Sequence, residues 1–227
     1  MTPSRPTVAV VGGTGALGGA LARKWAAAGY PVIVGSRSAE KAQAAARELR
    51  VAEGAPAPRG LGNGAAAAAA DIVVVTVPFA HHEAILSQIK GSVAGKIVVD
   101  ATVPLVPPKV ARVQLPPQGS AAQAAQEILG PAVEVVSAFQ NVAAHKLARD
   151  GEVDCDVLVC GDNPAARDEV IKLVEALGLR GLHAGPLANS AAAEALTSVL
   201  IGINKRYKVD GAGIRITAKV SEAAAGG

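Results

Sequence analysis

Aromatic side chains are scarce in this chain, making up 2% of 227 residues in which the hydrophobic share is 50%. A core must therefore be assembled from Ala, Val, Leu and Ile. That suits a parallel sheet covered on both faces, whose strands read as continuous aliphatic runs. Cysteine is scarce too, and the only two, Cys155 and Cys160, share one short apolar run. In a strand, a separation of five residues puts them on opposite faces and too far apart for a disulfide. Two thiols without clustered His partners do not make a zinc site, so buried, reduced cysteines are the expectation. No uncharged apolar stretch reaches the length of a membrane span, and the N-terminus lacks signal-peptide architecture, so the chain reads as cytoplasmic. Cations do not cluster either. The formal net charge is +3 with the basic residues scattered, which argues against a nucleic-acid partner.

What is present is a pattern of short aliphatic strands alternating with Ala-rich helices. Thr7 to Val11 ends in Gly12-Gly13-Thr14-Gly15-Ala16-Leu17-Gly18, and the composition then turns helical, with Leu17, Leu21 and Trp25 on one face. A second strand from Pro31 to Val34 ends in Gly35-Ser36-Arg37, and a helix is expected over about Ala39 to Glu53. Gly54 to Gly62 reads as a connection, and Ala65 to Ala70 as a short helix. Strands follow at Asp71–Val75, Lys96–Val99 and Val133–Ala138, with helices at His81–Ile89 and Ala121–Leu129. Prolines between residues 104 and 117 mark an irregular stretch. This alternation predicts an α/β fold built on a doubly wound parallel sheet. After about residue 150 come a strand (Asp156–Cys160), a helix (Ala165–Leu177), a strand (Gly181–Ala184) and a last helix from about Ser190 to Ile203. The expected division is a nucleotide-binding domain over residues 1–150 and a small C-terminal lobe over 151–227. The added strands are equally able to extend the main sheet.

Gly13-Thr14-Gly15-Ala16-Leu17-Gly18 fits G-x-G-x-x-G between a strand and an amphipathic helix. One glycine permits the tight turn, one lets the backbone approach a diphosphate, and one lets helix and strand pack closely. The helix N-terminus then offers free N–H groups and partial positive charge to the anion. About 20 residues on, a site for NAD presents Asp or Glu to the ribose 2′-hydroxyl. Here that place holds Ser36-Arg37, with no acid before Glu40. A guanidinium grips a 2′-phosphate with paired, charge-assisted hydrogen bonds. Thr14, Ser36 and Lys41 add donors, so the expected ligand is NADP(H). Pro78, after the strand that ends in Thr76-Val77, would shape a wall beside the nicotinamide ribose. His81, His82, His145 and His183 take no assigned role, and no Ser/His/Asp set, carboxylate pair or metal cluster stands out.

The sequence resembles the NADPH-dependent coenzyme F420 reductases, also called F420-dependent NADP oxidoreductases. The resemblance is carried by VAVVGGTGALGGALA, VGSRSAEKA, ADIVVVTVPFAH, GKIVVDATVPLVP, VVSAFQNVAAHKLA and HAGPLANSAAAEALTSVLIGINKRY. It implies an N-terminal Rossmann domain for NADP and a cleft against the C-terminal lobe for the deazaflavin. Hydride would pass directly between nicotinamide C4 and deazaflavin C5, with no catalytic side chain and no metal. It also implies Thr14, Ser36, Arg37 and Lys41 at the 2′-phosphate, Val77 and Pro78 beside the nicotinamide, Ala144 near its carboxamide, and a homodimer. After Val-Ser-Ala, family members commonly carry a His that contacts the deazaflavin. This chain has Phe139-Gln140-Asn141, and Gln hydrogen-bonds but carries no charge. The hydride acceptor is therefore open between a deazaflavin, a flavin, a pterin and a small imine or carbonyl. A non-catalytic NADP(H)-binding sensor is the reading from outside enzymology.

Overall fold

The computed structural model describes residues 5–149, 151 and 153–217. Residues 1–4, residue 150 at the expected domain boundary, and residues 152 and 218–227 of the expected C-terminal lobe lie outside the described residues. Strands and helices alternate: β1 (Val8–Val11), α1 (Ala16–Ala27), β2 (Val32–Ser36), α2 (Ala39–Arg47), β3 (Arg59–Gly62), α3 (Asn63–Ala68), β4 (Ile72–Val75), α4 (Phe79–Ile89) and β5 (Ile97–Asp100). After an irregular, Pro-rich stretch come α5 (Ala121–Leu129), β6 (Glu134–Ser137), α6 (Ala144–Leu147), β7 (Asp156–Gly161), α7 (Pro164–Glu175), β8 (Arg180–His183) and α8 (Ser190–Tyr207).

The sheet runs in the order β3-β2-β1-β4-β5-β6-β7-β8. Its first six strands are parallel, β7 pairs antiparallel with β6, and β8 runs parallel to β7. The segment after residue 150 thus adds two strands to the same sheet, one of the two arrangements the sequence allows. Strand residues alternate between two cores. Val8, Val10, Val32 and Val34 pack with Leu21 and Trp25 of α1, Ala42 of α2 and Leu173 of α7. Ala9, Val11, Ile33 and Val73 pack with Ala66 of α3, Leu86 of α4 and Ala125 of α5. Helices on both faces are what a sheet of buried aliphatic strands requires. Trp25, the single Trp, donates from Nε1 to the Leu173 carbonyl at 2.9 Å and so ties α1 to α7.

Most boundaries shift by one or two residues, and three departures from the sequence reading are larger. The helix expected to reach Glu53 stops at Arg47, because the chain must turn back so that the Ala52 N–H can reach the Ala26 carbonyl. Part of the expected Gly54–Gly62 connection is the edge strand β3. Gly60 is required there, since a Cβ on it would lie 2.2 Å from the backbone of Ala42 in α2. The last helix runs four residues past Ile203, to Tyr207, and ends on Lys208 in the left-handed region (φ 54°).

Candidate functional site

The carboxyl ends of β1, β2 and β4 enclose a cavity of about 330 Å³. Its wall begins with the glycine loop. Gly12 has φ 82°, a left-handed conformation that a side chain would strain. A Cβ at Gly18 would sit 2.5 Å from Thr76 Oγ1 and 2.7 Å from the Gly12 carbonyl oxygen. Glycine there lets α1 lie directly against the loop. Gly15 caps α1 without any side-chain hydrogen bond, so the first-turn amides remain open to a ligand.

The opposite wall is the end of β2. Ser36, Arg37, Ser38 and Lys41 line the cavity with Thr14, and among the described residues none that lines it is acidic. Thr14 Oγ1 lies 3.5 Å from Ser36 Oγ, which accepts from the Ser38 N–H at 3.3 Å. Ser38 in turn caps α2, accepting from the Lys41 N–H at 3.2 Å. Glu40 is turned aside: its carboxylate accepts from Ser38 Oγ at 2.7 Å, and that bond holds its pKa below the ordinary value. The residue set suits a polyanion with a phosphate at each end of a short span: open helix amides at one end, a guanidinium, an ammonium and hydroxyls at the other. Thr76, Val77, Pro78 and His81 close the third side.

Of the residues singled out in the sequence, the cavity brings together Thr14, Gly15, Ser36, Arg37, Lys41, Val77 and Pro78. Gly13 and Ala16 face a second cavity between α1 and α2, which Thr14 and Lys41 also line. Leu17 packs against the core. Gln140 and Ala144 lie further along the same edge of the sheet, after β6. His145 and His183 are partly exposed and pair with Asp210 at 2.6 Å and Asp168 at 3.0 Å. Sequence reasoning missed Asn63, at the start of α3, which is 3% exposed and lines the first cavity.

Beyond β4 the sheet edge carries a buried polar cluster that also escaped sequence reasoning. His82 of α4 faces Asp100 at the end of β5, Nε2 to Oδ2 2.6 Å, and both side chains are buried. Burial pulls the imidazole pKa down, but the hydrogen bond and charge of Asp100, with the charge of Glu194, outweigh it and leave His82 above its ordinary value. Asp100 Oδ1 accepts from the Thr102 N–H at 2.9 Å, and its backbone carbonyl accepts from Gln140 Nε2 at 2.7 Å. Gln140 Nε2 also donates to Ser137 Oγ at 2.9 Å.

The turn that presents Gln140 is strained. Phe139 holds φ 75°, rare for a bulky residue, and is fixed by an edge-to-face contact with Trp25 at 5.9 Å. Helix α8 is fastened over this turn. Thr197 Oγ1 donates to the Gln140 carbonyl at 2.8 Å, and Asn141 Nδ2 donates to the Ala193 carbonyl at 2.8 Å. Glu194, 1% exposed, reaches from α8 to the start of α5 and accepts from the Ala121 and Ala122 N–H groups at 2.6 and 3.1 Å. Burial raises its carboxyl pKa to about 7, although both backbone bonds act in the opposite sense.

Comparison with known proteins places the site in context. Residues 7–104 match the family model described as NADP oxidoreductase, coenzyme F420-dependent. The chain is 41% identical to the F420-dependent NADP reductase of Methanocaldococcus jannaschii, over 92% of this chain and 97% of that protein. A hypothetical protein of Sinorhizobium meliloti superposes with a TM-score of 0.67 at 26% identity, covering 83% of this chain and 88% of the other. An imine reductase of Myxococcus stipitatus bound to NAD+ shares the fold, with a TM-score of 0.62 at 19% identity over 90% of this chain and 62% of its own.

Proposed function

Because the chain belongs to the family of F420-dependent NADP oxidoreductases, we propose that the glycine-loop cavity holds NADP(H) and that the polar edge beside it receives the deazaflavin. The reaction is hydride transfer between NADP(H) and coenzyme F420, and the two ligands supply its redox chemistry. The protein's part is to bind, orient and exclude water. The open amides of α1 and the backbone of Gly13, Gly15, Ala16 and Leu17 hold the diphosphate. Thr14, Ser36, Arg37 and Lys41 hold the 2′-phosphate. Val77 and Pro78 bound the nicotinamide side, with Ala144 near its carboxamide.

Residues 1–150 carry the dinucleotide site, and the segment 151–227 contributes α8, which closes the acceptor side over Gln140. Gln140, whose amide group donates to the Asp100 carbonyl and to Ser137 Oγ, orients the acceptor through Oε1, which accepts a hydrogen bond without contributing charge. The observation that carries this reading is the cationic, acid-free end of β2 facing the glycine loop across one cavity. A homodimer is supported by Val199, Ile203 and Tyr207, exposed at every fourth position of α8. A cytoplasmic setting is supported by two free, buried cysteines.

The test follows NADPH oxidation spectrophotometrically with coenzyme F420, FMN and a pterin in separate assays. Turnover with F420 is expected. Tight NADPH binding with no turnover on any acceptor would replace the reading with a non-catalytic sensor.

A further inference from the structure

Among the described residues, one buried side-chain polar atom has no hydrogen-bond partner: Asn63 Oδ1. A sealed carbonyl oxygen without a donor is costly, and native proteins rarely tolerate one without a reason. The atom belongs to a residue that lines the cavity shared by Thr14, Ser36, Arg37 and Lys41. Turning of the Asn63 amide toward a ligand in that cavity would bring the buried Oδ1 its missing donor.

The surroundings narrow which part of the ligand that is. In the β2–β3 ladder Gly35 pairs with Leu61 and Ser36 with Gly62, so Asn63 follows next, beside the turn that carries Arg37. Its Oδ1 would lie 3.1 Å from a Cβ built on Gly35. The carbonyl of that same Gly35 accepts from the N–H groups of Gly12 and Gly13 at 3.1 and 2.9 Å and so anchors the glycine loop. Asn63 Oδ1 thus sits between the loop suited to a diphosphate and the Ser36-Arg37 turn suited to a second phosphate. It cannot serve either anion, since a phosphate at neutral pH presents acceptors and so does a carboxamide oxygen. The group that lies between those two phosphates on a 2′-phosphorylated dinucleotide is the adenosine ribose, and its free 3′-hydroxyl is a donor.

We propose that Asn63 is a ligand-binding residue that accepts a hydrogen bond from the 3′-hydroxyl of the 2′-phosphorylated ribose. The assignment rests on the NADP(H) reading of the cavity. Glycine at position 35 belongs to the same device, because a side chain there would crowd the Oδ1 atom and Ala66 Cβ at 3.2 Å. With the ligand bound, the orphaned acceptor is satisfied. Without it, the site carries a standing penalty that favours binding.

Calorimetry with NADP+, NAD+ and 3′-deoxy-NADP+ tests the assignment. The unsubstituted protein is expected to bind NADP+ about tenfold more tightly than its 3′-deoxy analogue. Asn63→Ala should bind the two equally, and its ligand-free melting temperature should be unchanged or higher. Asn63→Asp keeps the shape but adds charge, and should weaken NADP+ more than NAD+. Equal binding of NADP+ and 3′-deoxy-NADP+ by the unsubstituted protein would overturn the proposal. So would an Asn63→Ala protein that keeps the full discrimination, or one that loses ligand-free stability and both ligands alike. Arg37→Ala separates the levels. If it leaves NADP+ affinity unchanged, the NADP(H) reading itself falls and takes this one with it. If it weakens NADP+ while the 3′-hydroxyl proves irrelevant, only the role of Asn63 is lost.

Discussion

His82 Nε2 lies 2.6 Å from Asp100 Oδ2, with the imidazole 3% and the carboxylate 0% exposed. Such a pair contributes little net stability over an apolar replacement, but removing one partner strands the other charge. His82→Leu should therefore destabilise the fold by about 3–5 kcal/mol. Adding Asp100→Asn to that variant should restore much of the loss. Urea unfolding of the single and double variants checks both expectations.

Glu194 makes stability depend on pH in a direction set by its raised pKa. Its carboxyl ionises at about 7 in the fold against an ordinary 4.5. The folded state thus holds this proton more tightly than the unfolded one. The resulting stability is full below the ordinary value and is lost as pH rises through about 7. Its size is at most about 3 kcal/mol. The raised pKa of His82 acts in the same sense. Between pH 5 and pH 8 the unsubstituted protein should lose stability relative to Glu194→Gln, which can still accept from the N-terminus of α5. Parallel denaturation profiles for the two proteins would remove Glu194 as the source.

Arg37 is exposed at the end of β2 and faces the cavity without a carboxylate across it. Its charge-assisted bonds to a 2′-phosphate should be worth about 1.5–3 kcal/mol. Arg37→Ala should weaken NADPH by about ten- to a hundredfold and leave NADH nearly unchanged. Titration calorimetry with both nucleotides decides it.

Gly18 is where helix, loop and β4 meet most closely. Because an added Cβ would fall 2.5 Å from Thr76 Oγ1, Gly18→Ala must push α1 off the sheet. A cost of about 1–3 kcal/mol is expected from overpacking. A larger proportional loss in NADPH affinity is also expected, since the amides of α1 move with the helix. Thermal melts with and without NADPH separate the two effects.

The sequence made the glycine loop and the Ser36-Arg37 turn legible because both are local: their chemistry is written in adjacent residues. The aliphatic runs of β1, β4 and β5 were equally plain. Strand β3 was not, since Arg-Gly-Leu-Gly carries no β-branched residue and its glycine at 60 answers to α2 packing on top of it. The His82–Asp100–Glu194 cluster was hidden for a different reason. Its members sit on α4, β5 and α8, and Glu194 meets its N–H donors across more than 70 residues of chain. Spacing along the sequence carries no trace of such a contact. Asn63 was lost in a run that reads as Gly- and Ala-rich connection and helix, where nothing marks one polar residue as buried.

A single turnover with NADPH carrying deuterium at both C4 positions of the nicotinamide and coenzyme F420 as acceptor, followed by NMR and mass spectrometry of the product, traces the hydride directly. Direct hydride transfer within one closed site predicts that the label arrives at C5 of the deazaflavin without exchange into water. Product formed without the label, or no reduced F420 despite bound NADPH, would rule out direct hydride transfer in this site.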